Sequence, residues 1–546
     1  CMCSPFKSAN STSSSTPDTT QSTVSNAMTS NNTNDNFYQL LREQFPTDLS
    51  LPAVYDDAGV YSWSDLDKGS AMMANLLQGL ALPKGSRIAV QVDKSVEAVM
   101  LYLATLRAGY VFLPLNTAYQ SAEVAYFIDN AKPAVVVCSP ATFGWVSKVA
   151  FTHGVGSVFT LSDERTGSLL DRAAHCDSQH TPVQLMPDDL AVIIYTSGTT
   201  GRSKGAMLSH HNLASNAQTL KAYWGWQPGD VLLHALPIFH VHGLFVAIHA
   251  ALINGSPMIW MKKFDAQSAI AHMQRATVFM GVPTLYVRLL AQAQLNPQAV
   301  ANMRLFISGS APLLTDTFQQ WHERTGHTIL ERYGMSETIM LTSNPYSADA
   351  RHQGASQRKG GTVGFALPDV ELRVVNDDGV VLPNTQTGHI EVKGPSVFLG
   401  YWDMPEKTAE EFTADGFFKT GDVGVVSSQG YVTIVGRNKD LIISGGYNVY
   451  PAEIEAVINK LPGVSESAVV GIAHADFGEV GVAVVVADKG AVLDPLAVLT
   501  AIKGELANFK VPKHCVVVDE LPRNAMGKVQ KNILRQQYTS HVLTSH

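Results

Sequence analysis

The chain has 546 residues, 45% hydrophobic and 16% charged, enough apolar material for a large core and about three or four structural units. A formal net charge of -8, with no block of like charge, gives no footprint for nucleic acid or another polyanion. The five cysteines (Cys1, Cys3, Cys138, Cys176 and Cys515) are too scattered for a disulfide framework or a zinc site, and the longest apolar stretches, such as 244–253, fall short of the ~20 residues of a membrane span. A reducing, cytoplasmic setting is therefore expected.

Residues 1–36 are rich in Ser, Thr and Asn and cannot offset the entropy of ordering, so a disordered tail is expected. Its only basic residue is Lys7, which fits neither a signal peptide nor a presequence, and the native start is expected at Met28. From residue 37 short apolar runs alternate with helical patterns. Strands are expected at 87–92, 111–115, 134–138, 190–195, 231–236, 257–261, 278–282 and 304–308, with helices at 96–107 and 122–129. Such alternation means an α/β fold of largely parallel sheets, with ligands at the carboxyl ends of the strands.

After about residue 361 the pattern changes. Strands at 370–375, 389–392 and 431–435, separated by turns such as Asp377-Asp378-Gly379, predict an antiparallel, β-barrel-like part. From residue 440 a smaller α+β unit is expected. It has helices at 451–459 and 496–507 and strands at 467–472, 482–487 and 515–518.

The strongest local signal is the run Thr196, Ser197, Gly198, Thr199, Thr200, Gly201, Arg202, Ser203, Lys204, Gly205, directly after a buried strand. Its glycines let the backbone approach an anion, its hydroxyls and N–H groups can hold phosphate oxygens, and Lys204 adds a point charge. The glycine-to-lysine spacing is not that of a Walker A loop.

This run resembles the phosphate loop of the adenylate-forming superfamily, which includes acyl-CoA synthetases, luciferases and the adenylation domains of peptide synthetases; Ser203 stands where proline is commonest. The resemblance continues in order over about residues 37–537. Glu331, Arg332, Tyr333, Gly334, Met335, Ser336, Glu337 and Thr338 look like the adenine and magnesium motif, and Ser308-Gly309-Ser310-Ala311-Pro312 like the adenine-side turn. Thr420-Gly421-Asp422 resembles the ribose motif and Gly436–Asp440 the interdomain junction. The run Pro522–Lys531 is similar to the catalytic-lysine motif, with the lysine at Lys528.

The resemblance implies an AMP-binding N-terminal domain over 37–436, a hinge at 437–440 pivoting on Lys439, a small mobile C-terminal domain over 441–537 and a tail at 538–546. It implies ATP contacts from Thr196, Ser197, Gly198, Thr199, Thr200, Gly201, Lys204, Ser310, Ala311, Glu331–Ser336, Asp422 and Arg437, and Mg2+ held by Glu337. Ser444, Gly445 and Gly446 would border the coenzyme A route. Catalysis would rest on Lys528, Glu337 and His240.

For the acid, the implied pocket residues are His240, Arg288 and Ser308. Arg288 lies in a largely apolar helix start and is expected to pack inward, where a guanidinium suits a second carboxylate. Three stretches look like malonyl-CoA synthetases: 209–216, 234–245 and 304–314. So does Glu331–Thr338 followed by Thr342-Ser343-Asn344-Pro345. That implies malonate, with methylmalonate as a further candidate. A medium-chain or aromatic monocarboxylate, or a carrier thiol in place of coenzyme A, are the competing readings.

Overall fold

A computed structural model describes residues 34–196, 203–352, 354, 357–444, 447–474, 477–503, 505–506, 508–524 and 527–542. The expected tail through residue 33 with Met28, the loop residues Ser197, Gly198, Thr199, Thr200 and Gly201, the pair Gly445 and Gly446, and residues 543–546 lie outside the described residues. Strand counts below refer to the described residues.

Parallel pairing dominates two sheets. One has six strands in the order Ser157–Thr160, Val135–Cys138, Arg87–Gln91, Val111–Pro114, Leu190–Thr196 and Lys204–Ser209. The first five run parallel, and the last turns back antiparallel as a hairpin with Leu190–Thr196. The other has nine strands. Its six inner strands, Leu330–Tyr333, Leu305–Ser308, Val278–Gly281, Leu232–His234, Met258–Trp260 and Pro52–Asp56, are parallel, and antiparallel strands close both edges. The expected strands thus form within a residue or two of their apolar runs. Thr196, His234, Gly281, Ser308 and Tyr333 all fall at carboxyl ends of parallel strands.

The stretch after residue 361 is a four-stranded antiparallel sheet of Glu371–Val375, Thr387–Lys393, Phe418–Val426 and Val432–Arg437. Strand Phe418–Val426 carries Asp422 and was not expected from the sequence, because Gly421 and Gly424 interrupt its alternation. A 3-10 turn, Asn438–Asp440, then leads into a smaller mixed sheet built on the long hairpin of Val464–His474 and Gly478–Ala487.

Two expected boundaries move. Asn36, assigned to the tail, is buried; its Oδ1 accepts from the Tyr38 N–H at 3.0 Å, capping helix Phe37–Arg42, and its amide donates to the Leu106 carbonyl at 2.9 Å. The tail expected from residue 538 is instead the second half of helix Lys531–Val542, and Tyr538 is buried against Leu521 and Leu534 in a core of the smaller unit. An isolated tyrosine in a polar run gave no sign of that burial. No helix among the described residues is long and apolar enough to cross a membrane.

Candidate active site

Thr196 closes its strand opposite Lys204, so the hairpin fixes both ends of the glycine-rich run. Lys204 Nζ lies 3.4 Å from Glu411 and 4.0 Å above the Tyr401 ring. The Tyr401 hydroxyl donates to Glu337 Oε1 at 3.1 Å, and Thr196 Oγ1 is 3.5 Å from the same oxygen. Glu337 is buried, and that burial lifts its carboxyl above the ordinary value. A lone buried carboxylate flanked by hydroxyls is a hard oxygen donor. Mg2+ in phosphate-handling sites is typically held by one or two carboxylates plus the substrate's own oxygens, so the residues present fit that ion.

A second group centres on Asp422. Its Oδ2 accepts from the Tyr333 hydroxyl, and Arg437, its register partner on the next strand, places Nε 3.1 Å from Oδ1. Asp422 in turn holds the Arg437 guanidinium above its usual range. Each carboxylate oxygen keeps acceptor capacity for a diol. Gly334, Met335, Ser336, Ser310 and Ala311 are half-buried beside this group's strands, in a row of partly accessible backbone.

Lys528 arrives from the far end of the chain. Its turn is held by the Asn524 N–H donating to the Lys528 carbonyl at 2.9 Å and by the Lys528 N–H donating to Asn524 Oδ1 at 3.0 Å. Gly527 takes φ +72°, a left-handed conformation that favours glycine. A Cβ added there would lie 3.0 Å from Thr284 Oγ1, so the lysine turn abuts helix Pro283–Leu290 of the large unit. The Lys528 side chain keeps accessible surface at the cleft, yet its ammonium is pushed down to about 8, by desolvation first and then by Arg437 and Lys439. Asp440, beside Lys439, is tied to Arg535 at 2.5 Å.

The third group is a pair of histidines with an arginine. His240 is half-buried, and burial followed by Arg332 and Lys528 lowers its imidazole to about 4. It is neutral at physiological pH, and its Nδ1 accepts from the His242 N–H at 3.3 Å. His242 Nδ1 lies 3.2 Å from Ser310 Oγ, and Ser310 holds φ +71°, a costly backbone state for a side-chain-bearing residue. Ser308 is fully buried with its hydroxyl unpartnered among the described residues. Glu331 is buried, accepts from the Leu313 N–H at 3.0 Å, and is pushed up to about 8 by desolvation.

Arg288 departs from expectation. Helix Pro283–Leu290 buries Leu285, Tyr286 and Leu289, while Val287 and Arg288 are exposed. The Arg288 guanidinium sits 4.9 Å over the Phe264 ring. Val287 made the window read as more buried than it is. Arg288 nonetheless lies one helical turn from Thr284, on the face that meets the lysine turn.

Sequence reasoning missed Tyr401 and Glu411, which position Glu337 and Lys204 from a part of the chain without a recognisable motif. Ser444 is buried at the end of a short strand.

The AMP-binding enzyme family model matches residues 41–402, and the AMP-binding enzyme C-terminal domain model matches residues 453–528. A malonate–CoA ligase of Arabidopsis thaliana is 34% identical over 493 residues, covering 84% of this chain and 79% of that protein. ATP-bound MatB from Rhodopseudomonas palustris superposes with a TM-score of 0.90 at 52% identity, covering 93% of this chain and 100% of that one. The apo form of MatB, with the same identity and coverage, gives 0.79, so the arrangement seen here is nearer the nucleotide-bound form.

Proposed function

The chain belongs to the AMP-binding enzyme family, and from that premise we propose that it joins malonate to coenzyme A with cleavage of ATP to AMP and pyrophosphate. The observation that carries this reading is a cleft rich in cations in a chain of net charge -8. Lys528, Arg437 and Lys439 meet there, close to the buried Arg332, and Lys204 stands by Glu337. All three substrates, ATP, malonate and coenzyme A, are anions.

In the first half-reaction a malonate carboxylate oxygen bonds to the α-phosphorus of ATP and the bond to pyrophosphate breaks. Lys528 stabilises the negative charge gathered on the α-phosphate oxygens. Asp422 accepts the ribose hydroxyls, Tyr333 packs by the adenine, and the backbone of Gly334, Met335 and Ser336 with Ser310 and Ala311 lines the base. Thr196 and Lys204, with the run between them, hold the phosphates. Glu337 holds Mg2+, which when bound neutralises phosphate charge. His240 borders the reacting carboxylate as a neutral imidazole and so does not compete with Lys528 as a second cation.

In the second half-reaction the small unit turns about Lys439 and carries Lys528 away. The coenzyme A sulfur then bonds to the malonyl carbonyl carbon, the thiol proton leaves to solvent and AMP departs. Ser444, with Gly445 and Gly446, borders the thiol's route. Withdrawing one catalytic face before admitting the other substrate protects the acyl-adenylate from water.

The direct test is acid-dependent pyrophosphate release, with and without coenzyme A, across mono- and dicarboxylic acids. Malonate should lead the panel and give malonyl-CoA; turnover of octanoate or benzoate but not malonate would refute the reading.

Two further results are expected. The Lys528 ammonium must be charged to act, and in the free enzyme it loses its proton near 8. The kcat/KM of adenylation should therefore fall as pH rises through about 8, while bound ATP favours the ammonium and shifts the fall in kcat to higher pH. A kcat/KM flat to pH 10 would contradict this. Arg288, at the lysine face of its helix, serves the far carboxylate from the rim. Arg288→Ala should lower malonate kcat/KM by roughly 10- to 100-fold with little change in melting temperature, because the side chain is exposed.

We also place the enzyme in the cytoplasm. Fractionation that finds it in an organelle would correct that assignment.

A further inference from the structure

Helix Ser121–Ala131 makes a contact that the proposed mechanism does not use. The helix itself is firmly mounted. At its start Glu123 accepts from the Gln120 N–H at 2.9 Å. At its end Arg87, on the sheet beneath, donates from Nε to the Ala131 carbonyl at 2.8 Å and from Nη2 to the Lys132 carbonyl at 2.9 Å. Val124, Phe127, Ile128 and Ala131 are buried between these ends.

Tyr126 and Asn130 lie one turn apart on one face of the helix, and both reach the hairpin that brackets the glycine-rich run. Asn130 Oδ1 accepts from the Tyr195 hydroxyl at 2.5 Å. The Asn130 carbonyl accepts from Trp402 Nε1 at 3.1 Å, and the Trp402 N–H donates to the Gly205 carbonyl at 2.7 Å. The Tyr126 hydroxyl donates to the Ser203 carbonyl at 2.7 Å, a favourable O–H···O length. Its ring packs beside those of Phe127 and Tyr195, with centroids 5.5 and 6.2 Å away.

That last bond acts where the sheet stops. Thr196 and Lys204 are the final register pair of the hairpin, so Ser203 is the first residue past the ladder. The Ser203 carbonyl belongs to the planar peptide unit whose nitrogen is that of Lys204. Holding it sets the plane from which the Lys204 side chain departs. The ammonium has rival neighbours, Glu411 at 3.4 Å and the Tyr401 ring at 4.0 Å. The direction in which it leaves the backbone therefore decides whether it stays with them or meets a phosphate.

We infer that Tyr126 is a positioning residue for ATP: its hydroxyl fixes the Ser203 peptide and so aims Lys204 at the phosphates. Serine at 203 leaves φ free where proline would lock it, and the tyrosine supplies the restraint from a separate helix. The inference rests on the ATP-dependent adenylation proposed above.

The test is Tyr126→Phe, which removes the hydroxyl and keeps the packed ring. The Kd for ATP without acid, and the KM for ATP in malonate-dependent pyrophosphate release, should both rise about 3- to 10-fold, with the KM for malonate unmoved. Thioester formation from preformed malonyl-adenylate, which lacks the two outer phosphates, should keep its wild-type rate. A hydroxyl that served only the fold would move both half-reactions or neither. In a Ser203→Pro background the loss of the hydroxyl should change the ATP Kd by less than about 2-fold, because proline already restrains that residue.

An unchanged ATP Kd overturns the inference. So does an equal rise in the KM for ATP and for malonate, or an equal cost of Tyr126→Phe in the two backgrounds. If Tyr126→Phe gives no folded protein by its melting curve, Tyr126→His, which keeps a ring and loses the hydroxyl, decides: an ATP Kd raised with the malonate KM unmoved supports the anchor, and any other result overturns it. Wild type that binds ATP but releases no pyrophosphate with malonate sinks the malonate reading alone, and the ATP Kd of the variants still decides the role of Tyr126.

Discussion

Lys528→Ala should lower malonate-dependent adenylation by about 1000-fold while sparing thioester formation from preformed malonyl-adenylate and coenzyme A. The split follows from geometry. In the arrangement seen here Lys528 shares a field with Asp422, Arg437, Lys439 and His240, where the α-phosphate and the attacking carboxylate must meet. Two other lysines of the small unit are engaged elsewhere: Lys531 is paired with Glu455 at 2.6 Å and Lys510 with Glu453 at 2.5 Å. The lysine turn is held by its own backbone and by Asn524, so truncating the side chain leaves the turn in place. Pyrophosphate exchange reads the first half-reaction and malonyl-CoA formation from synthetic adenylate reads the second. Equal losses in both would mean that Lys528 serves the fold or both steps, and the alternation of the small unit would lose its support.

Glu337→Gln is expected to cost on the order of 100- to 1000-fold in adenylation, with the Mg2+ concentration needed for half-maximal rate moved upward. The substitution keeps shape and removes charge. The fold should tolerate it. Because burial raises the Glu337 carboxyl, the folded chain binds that proton more tightly than the unfolded chain does. Stability contributed by the protonated form is present at low pH and is lost as pH rises through the raised value, so at neutral pH the ionised carboxylate weighs against the folded state. Glutamine relieves this, and the melting temperature at pH 7 should hold or rise. A large drop in melting temperature together with a normal Mg2+ response would show that Glu337 is structural, held for Tyr401 and Thr196 rather than for an ion.

Much of the fold was readable because buried parallel strands announce themselves. Residues 87–92, 190–195 and 278–282 are dense in β-branched and aliphatic residues, and the structure places strands there. Several motif residues were also legible, since Thr196, Ser308 and Tyr333 sit where a strand ends and backbone becomes available. What was hidden depends on contacts distant in sequence. Tyr401 reaches Glu337 across 64 residues, and nothing local to a Gly-Tyr-Trp turn points to a carboxylate. Phe418–Val426 is a strand in spite of its two glycines, because neighbours on both sides supply the ladder.

The expected inward packing of Arg288 failed by phase. Three buried residues on one helix face made the window look like core, and Val287 concealed that Arg288 belongs to the other face. The reverse happened at Arg332, which carries the same functional group inside a motif and so was read with the motif. Only its unpartnered nitrogens and its strand face separate it from Tyr333. Burial with no partner is a property of three-dimensional packing, and one sequence does not display it.

The contact between Asp440 and Arg535 makes the last helix a lever arm. Arg535 lies in Lys531–Val542, and the same helix seats Leu534 and Tyr538 on the hairpin of the small unit. The turn that carries Lys439 is thereby coupled to the last described helix, nearly a hundred residues later in sequence. If the small unit turns about Lys439 as proposed, this helix turns with it, and a tag, a fluorophore or an immobilisation handle placed behind it joins the moving part. A rigid fusion close behind the helix loads the pivot, whereas a long flexible spacer leaves the stroke free.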